Sequence, residues 1–145
     1  MSAPLYNTQI LKLATSIPHQ DRLAHPHGIS ERRSPICGSR VTIDVVLDSE
    51  GRIAELGQEV RACALGQASA SLMGTHAIGR TLGELETARD DLTAFLAGTR
   101  DDPGTWPGLE IFGPARAHSA RHASIRLAFE AVAEAAARAA SAEAA

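Results

Sequence analysis

The spacing of apolar residues changes several times along the chain, and each change predicts a different element. Between positions 41 and 47 every second residue is apolar, which is the pattern of a strand with one buried face. A turn at 48–51 and an extended run at 52–56 predict that the chain returns antiparallel to this strand. Gly57 predicts a bulge or a break before a third short strand at 60–63. The sequence therefore predicts three short antiparallel strands.

Helical spacing of apolar residues appears in the first, middle and last parts of the chain. One apolar face is formed at 5–14, another at 66–79 and a third at 119–140. The charged and Pro/Gly-containing stretch at 19–34 predicts an irregular surface loop, and six Gly or Pro residues at 99–114 predict an extended excursion. These segments predict several helices that surround the strands.

The region between the last two of these helical faces predicts two further short helices. Thr81 and Glu84 have the reciprocal pattern of a capping box, which opens a helix to about position 89. Asp90 or Asp91 caps the second helix, and Gly98 stops it. A sheet of three short strands needs a helical layer to be stable. The predicted fold class is therefore α+β, with a small three-stranded antiparallel sheet packed against several helices.

Composition and charge narrow the expected partners. The length fits a single domain that spans residues 1–145, and with only 3% aromatic residues its core must consist of Ala, Leu, Val and Ile. The net charge of −3, without a basic stripe, argues against nucleic acid as a partner. The sequence contains no apolar run of about 18 residues or more, which is what spanning a membrane would need, and the first residues lack the pattern of a signal peptide. We therefore expect a cytoplasmic protein that binds neither nucleic acid nor membrane.

Two cysteines are the first candidates for chemistry. A structural disulfide between Cys37 and Cys63 is unexpected in the cytosol, so both are available as thiols, metal ligands or sulfur acceptors. Each could equally be a small buried apolar residue. Cys63 precedes a predicted helix, whose N-terminus favours the thiolate form. Gly38 lets the backbone pass close to whatever the Cys37 sulfur binds.

Histidines are the candidates for further ligands, because two cysteines so far apart in sequence match no compact zinc motif and tetrahedral zinc needs four ligands. A lone histidine is more often a surface or hydrogen-bonded residue than a ligand. His122 is the strongest candidate, because it lies beside the start of the final helix. All six are His19, His25, His27, His76, His118 and His122.

Several short segments occur in a distinctive order along the chain. They are Leu5-Tyr6-Asn7, Pro35-Ile36-Cys37-Gly38, the strand at 41–48, Gly51-Arg52-Ile53, Ala62-Cys63 and Gln67-Ala68-Ser69. In this order and spacing they resemble the NifU/IscU family of iron–sulfur cluster scaffold proteins. The resemblance covers nearly the whole chain, from position 5 to about position 132.

The resemblance implies a function and a site. Proteins of this family receive sulfur from a cysteine desulfurase, assemble a [2Fe–2S] cluster on three cysteines aided by an aspartate, and pass clusters to apo-proteins; some bind zinc in the same pocket. Cys37 and Cys63 correspond to the first two cysteines. The stretch at about 98–118 resembles the insertion of the SufU branch of the family. An alignment without gaps puts Ser124 at the third cysteine, and a shift of one residue puts Ala123 there, beside His122.

This sequence departs from the family pattern at two positions. The aspartate that follows Cys-Gly is Ser39 here, and Arg40 after it adds positive charge if its side chain points inward. The third cysteine is Ser124 or Ala123. A serine hydroxyl is a far poorer iron ligand than a thiolate, because soft sulfur suits iron–sulfur clusters and a neutral alcohol does not.

We therefore predict a scaffold or carrier without enzymatic activity, which binds iron or a [2Fe–2S] cluster through Cys37 and Cys63. His122, Ser124, a partner or a second monomer in a homodimer would complete the ligands. The alternatives are a zinc-binding or persulfide-accepting sulfur-transfer protein without a cluster, and a degenerate regulator of a cysteine desulfurase. An enzyme that uses a cysteine nucleophile, with His122 or His76 as its base, is a further hypothesis.

Overall fold

A computed structural model describes residues 5–35 and 38–144 of the chain. Within these residues a three-stranded antiparallel sheet is combined with four α-helices. Two 3₁₀ segments, Leu109–Ala117 and Ser119–Arg121, precede the last helix. In chain order the elements are α1 (Thr8–Ala14), β1 (Gly28–Arg33), β2 (Arg40–Leu47), β3 (Ile53–Arg61), α2 (Ala64–His76), α3 (Leu82–Ala97) and α4 (His122–Ala144). The predicted α+β fold class is confirmed.

The sheet has the order β1-β2-β3, and its inner face is covered by α4. The alternating apolar residues of β2 all lie on that inner face, and they are at most 5% exposed; they are Val41, Ile43, Val45 and Leu47. Four buried alanines of α4, at positions 128, 131, 135 and 139, keep the helix surface thin enough to approach the strands. Helices α2 and α3 pack against α4, and α1 packs against α2.

Strand β1 lies inside the stretch that the sequence pattern predicts to be an irregular loop, so that prediction is wrong. The inward positions of this strand carry Gly28 and Ser30 rather than large apolar residues, while Ile29 on the outer face is 43% exposed. The usual apolar alternation is therefore inverted. Gly28 is needed because a Cβ there would lie 2.1 Å from the carbonyl oxygen of Ala135 in α4.

Strand β3 runs without interruption through Gly57, so the predicted bulge or break between two separate strands is also wrong. Gly57 pairs in register with Asp44, and the irregularity in this ladder lies between Val46 and Leu47. The glycine serves a close approach instead, because a Cβ there would lie 2.5 Å from the carbonyl oxygen of Asp21. The loop before β1 consequently lies directly over the outer face of the sheet.

Helix α3 is one continuous helix where the sequence predicts two. Asp90 and Asp91 lie in its interior and form ion pairs with Arg89 and Arg100, so neither caps a helix. The predicted ends are confirmed: Thr81 and Glu84 form the capping box, and Gly98 ends the helix in the left-handed conformation. None of the described helices has the length and apolar run that crossing a bilayer would need.

Candidate functional site

Cys63 occupies the N-cap position of α2. Its backbone is extended, with φ −66° and ψ 170°, and its thiol is half-buried. No acidic residue lies in the first turn of this helix, and the Cys63 side chain makes no capping hydrogen bond. The sulfur is thus held at the positive end of a 13-residue helix, where a negatively charged group is stabilised.

Ser124 lies directly beside this sulfur. It is the third residue of α4, it is 2% exposed, and its Oγ lies 3.1 Å from Cys63 Sγ. The same hydroxyl lies 3.3 Å from the Oγ of Ser39, which is 3% exposed and precedes β2. The fold therefore brings together residues from three elements: those that the resemblance assigns to the second cysteine and the aspartate, and Ser124, one of the two residues it offers for the third cysteine. The donors they provide are one thiol and two hydroxyls.

The close approach of α2 to α4 positions these groups. Gly66, in the first turn of α2, lies so near α4 that a Cβ there would be 2.6 Å from the Oγ of Ser124. One turn along, the Ser69 hydroxyl donates a hydrogen bond of 2.6 Å to the carbonyl oxygen of Ile125. Sequence reasoning missed both contacts, although the small residues that follow Cys63 are a usable signal of close helix packing.

Cys37, the other predicted ligand, lies outside the described residues. Described residues on either side of it are hydrogen-bonded to each other: the Ser34 amide donates to the Ser39 carbonyl at 2.9 Å, and the Gly38 amide donates to the Ser34 carbonyl at 3.1 Å. The Oγ of Ser34 is buried without a hydrogen-bond partner among the described residues. Ser34 and Ser39 are thus hydrogen-bonded neighbours, and Ser39 contacts Ser124.

His122 is tied to the excursion that precedes α4. Its Nε2 lies 2.8 Å from the carbonyl oxygen of Ala115, so this nitrogen carries the proton and donates. Nδ1 is the ring nitrogen that this contact leaves available. His122 precedes Ser124 by two residues, and residues at that spacing do not share a helix face. Its role as a ligand stays a prediction, and Ser124 has the direct contact with Cys63.

Arg40 is directed away from the candidate site. It alternates with the inward Val41 along β2, and its guanidinium forms ion pairs with Glu31 at 3.4 Å and Glu59 at 3.7 Å on the outer face. The inward orientation considered from the sequence does not occur.

His76 is equally remote from Cys63. It is the last residue of α2, whose N-cap is Cys63, so the helix separates the two by about 20 Å. Its ring packs edge-on against Trp106. A cysteine–histidine pair between Cys63 and His76, as the enzyme hypothesis requires, is excluded by this distance.

The described residues, which leave out Cys37, contain no group of three or more His, Cys, Asp or Glu side chains placed to hold a metal ion. Cys63 provides one soft donor, and the two serine hydroxyls beside it are hard and neutral. Within the described part of the chain the donors thus fall short of the thiolate set of an iron–sulfur cluster.

Comparisons with known proteins agree with this architecture. The model of the NifU-like N-terminal domain family matches residues 5–139. The chain is similar to a crystal structure of a nitrogen-fixing NifU-like protein (N-terminal) from Brucella abortus, with 36% identity, a TM-score of 0.88, and coverage of 94% of this chain and 95% of that one. No curated protein matches the chain.

A second similar structure shares the fold at lower identity. It is a putative iron–sulfur cluster assembly scaffold protein for the SUF system from Fervidobacterium islandicum AW-1, with 20% identity and a TM-score of 0.83. The match covers 91% of this chain and 96% of that one.

Proposed function

The chain belongs to the family of NifU-like N-terminal domains, and on that premise we propose that it acts in iron–sulfur cluster assembly as a scaffold or carrier. The observation that supports this most is the contact of 3.1 Å between Cys63 Sγ and Ser124 Oγ where α2 and α4 begin. Two helix N-termini meet there, and both favour bound anionic groups such as thiolates and sulfide.

Cys37 and Cys63 are the proposed protein ligands of iron or of a [2Fe–2S] cluster, which is the cargo of the protein. Ser124 and Ser39 carry hard neutral hydroxyls: Ser124 acts by hydrogen bonding to the Cys63 sulfur rather than by binding iron, and Ser39 hydrogen-bonds to Ser124. The remaining ligands come from a partner protein or from a second copy of the chain, and His122 Nδ1 is a further candidate. The expected partners are a cysteine desulfurase and the apo-proteins that accept the cargo.

Replacing Ser124 by cysteine tests this proposal. Anaerobic mixing with iron, sulfide and a reductant should give visible charge-transfer absorption. The Ser124→Cys variant should retain this absorption about tenfold longer in air, because it gains a third thiolate. Even a change at an outer hydrogen-bond partner of a ligand alters metal affinity about tenfold. Ser71→Cys is the matched control, since Ser71 is equally buried in α2 but bonds to the Ser16 carbonyl instead. If no iron-to-protein ratio gives absorption with wild type or Ser124→Cys, the scaffold proposal fails.

A second candidate function is sulfur transfer without a cluster. It is favoured by the hydroxyl beside Cys63, which can donate a hydrogen bond to a thiolate. In this reaction the Cys63 thiolate attacks the outer sulfur of a persulfide on the desulfurase, the new S–S bond forms on Cys63, and the desulfurase thiolate leaves. A mass gain of one sulfur that Cys63→Ser abolishes would support it.

Zinc near one equivalent in the purified protein would favour the zinc-binding alternative.

A further inference from the structure

Three arginines form a row across the outer face of the sheet, at the end nearest the candidate site. Arg33 pairs in register with Arg40, and Arg40 pairs with Arg61. Directly opposed residues of neighbouring strands lie on the same face about 5 Å apart. The side chains of Arg33 and Arg61 are 64% and 69% exposed, and that of Arg40 is 30% exposed. We call Arg33, Arg40 and Arg61 the arginine row.

The carboxylates next to the arginine row do not balance its charge. Glu31 and Glu59, one step further along the sheet, contact the three guanidiniums at distances of 3.4–3.7 Å. Two carboxylates are therefore shared among three guanidiniums, and these long, solvent-exposed ion pairs are individually weak. Asp44 is fully buried and takes two hydrogen bonds from Arg22 instead. The row consequently has an excess of positive charge and many donor groups directed to solvent.

Such a row is unfavourable for the fold by itself. Like charges directly opposite each other destabilise a sheet, and the exposed ends of Arg33 and Arg61 fill no space in the core. The whole chain has a net charge of −3, so the local positive charge is not a consequence of general composition. A binding role accounts for three arginines at these positions, because a planar guanidinium pairs with a carboxylate through two parallel hydrogen bonds.

The arginine row lies at the edge of the site around Cys63. Arg40 directly follows Ser39, whose hydroxyl contacts that of Ser124. Arg61 precedes Cys63 by two residues, which is about 7 Å of extended chain. Beside them, Gly38 has no described heavy atom within 4 Å of the place a Cβ would take. A protein that reaches the Cys63 sulfur from this side passes over the arginine row.

We propose that the arginine row is a docking surface for an acidic segment of the protein that exchanges iron or sulfur with the Cys63 site, an inference that rests on the proposed function. Carboxylates of the partner pair with the row and orient the partner over the sulfur. Exposed charges of this kind act mainly on the rate of encounter and on its salt dependence.

Charge reversal in the arginine row tests the proposal. The variant carries Arg33→Glu and Arg61→Glu, and the probe is a short fluorescent peptide of alternating glutamate and serine, with a lysine–serine peptide for comparison. Fluorescence anisotropy in about 20 mM salt should show about tenfold weaker binding of the acidic peptide to the variant. The difference should shrink in about 200 mM salt, because screening shortens the reach of exposed charges.

The matched control carries Arg52→Glu and Arg100→Glu, which changes the net charge equally at exposed arginines outside the row. Binding of the acidic peptide to this control should stay within about twofold of wild type. Equal weakening in both variants, unchanged binding in the row variant, or equal binding of the lysine peptide would each overturn the proposal. Self-association of the wild type that only the row variant loses would assign the row to a second copy, and would also overturn it.

Loading with inorganic iron and sulfide separates this inference from the proposed function. No partner protein takes part in that reaction, so the row variant should load like the wild type. If neither protein loads, the scaffold function fails while peptide binding still decides the docking surface. If the row variant alone fails to load while its circular dichroism is unchanged, the row belongs to the cargo site and the docking proposal is overturned.

Discussion

Gly66 is the residue that allows α2 and α4 to meet at Cys63. A Cβ at this position would lie 2.6 Å from Ser124 Oγ and 2.8 Å from the Cβ of Ala62, and both distances are too short for van der Waals contact. A glycine early in a helix normally costs stability, because alanine is the better helix former by about 1 kcal/mol. Glycine at this position therefore makes α2 locally less stable, but it allows Cys63 and Ser124 to come into contact.

Gly66→Ala should destabilise the protein by about 1–2 kcal/mol, because overpacking costs about 1–3 kcal/mol and the gain in helix propensity offsets only part of it. The matched control is Gly83→Ala in α3, where the nearest atom to a new Cβ is Thr81 Oγ1 at 3.9 Å. That change should be neutral or stabilising by up to about 1 kcal/mol. Urea unfolding measures both, and the same sign for the two variants would contradict the steric argument.

At the residue scale, the sequence predicts the identities at the site better than their contacts. Cys63 at a helix N-terminus and Ser124 beside it follow from the pattern and the resemblance. The hydroxyl contact between Ser124 and Ser39 joins residues 85 positions apart, and short-range spacing does not contain that information. The direction of Arg40 depended on strand register, which only the pairing with β1 and β3 sets.

Among the elements, β1 and α4 are joined by a buried polar contact in addition to apolar packing. The Ser30 hydroxyl, fully buried on the inner side of β1, donates a hydrogen bond to Glu134 of α4. Arg32 contacts the same carboxylate at 3.2 Å. This hydrogen bond lowers the pKa of Glu134 below its ordinary value; burial opposes the shift, and the positive charges of Arg138 and Arg32 add to it.

The lowered pKa predicts how acid weakens this contact. A carboxyl group with a lower pKa in the folded state binds fewer protons there than in the unfolded state, so its contribution is complete above the ordinary pKa of about 4.5 and is lost as the pH falls through the folded value. Glu134→Gln should therefore be less stable than wild type at neutral pH, and the difference should narrow below about pH 4.5. Unfolding curves across this range measure it.

The control for this prediction is Glu50→Gln, at a site whose side chain is 76% exposed. Its stability difference from wild type should stay small at every pH, because exposed ion pairs contribute little. A Glu134→Gln difference that stays constant or widens in acid would contradict the predicted linkage.

The contact between Ser30 and Glu134 also shows why some elements could be predicted from the sequence and others could not. Strand β2 and the helix ends at Thr81 and Gly98 follow regular patterns, because apolar burial and capping act over short distances. Strand β1 was not predicted, because its buried positions carry Gly28 and Ser30 instead of large apolar residues, and Ser30 is hydrogen-bonded to Glu134, which is distant in sequence. Helix α3 was divided in the prediction because Asp90 and Asp91 resemble caps, whereas tertiary packing on both sides continues the helix through them.

At the scale of the whole molecule, the excursion between α3 and α4 is anchored by the single tryptophan of the chain. Trp106 is 4% exposed, its indole N–H donates to the Leu72 carbonyl at 3.0 Å, and its ring meets Phe129 edge-on at 5.3 Å. The Arg80 guanidinium lies 4.8 Å above the same ring. Trp106 thus connects the excursion with both α2 and α4.

Trp106→Ala should destabilise the protein by about 3–5 kcal/mol, because it empties a large buried site and removes the hydrogen bond to the Leu72 carbonyl. Trp106→Phe keeps much of the ring packing and should cost roughly half as much. Limited proteolysis should cut Trp106→Ala first between positions 99 and 108, and Trp106→Phe more slowly. Because His122 donates to Ala115 at the far end of the excursion, loosening it should also disturb the first turn of α4, where Ser124 lies. Cleavage that begins elsewhere, or equal cleavage rates for the two variants, would contradict this role of Trp106. The buried side chains of Leu109 and Phe112 would then anchor the excursion without it.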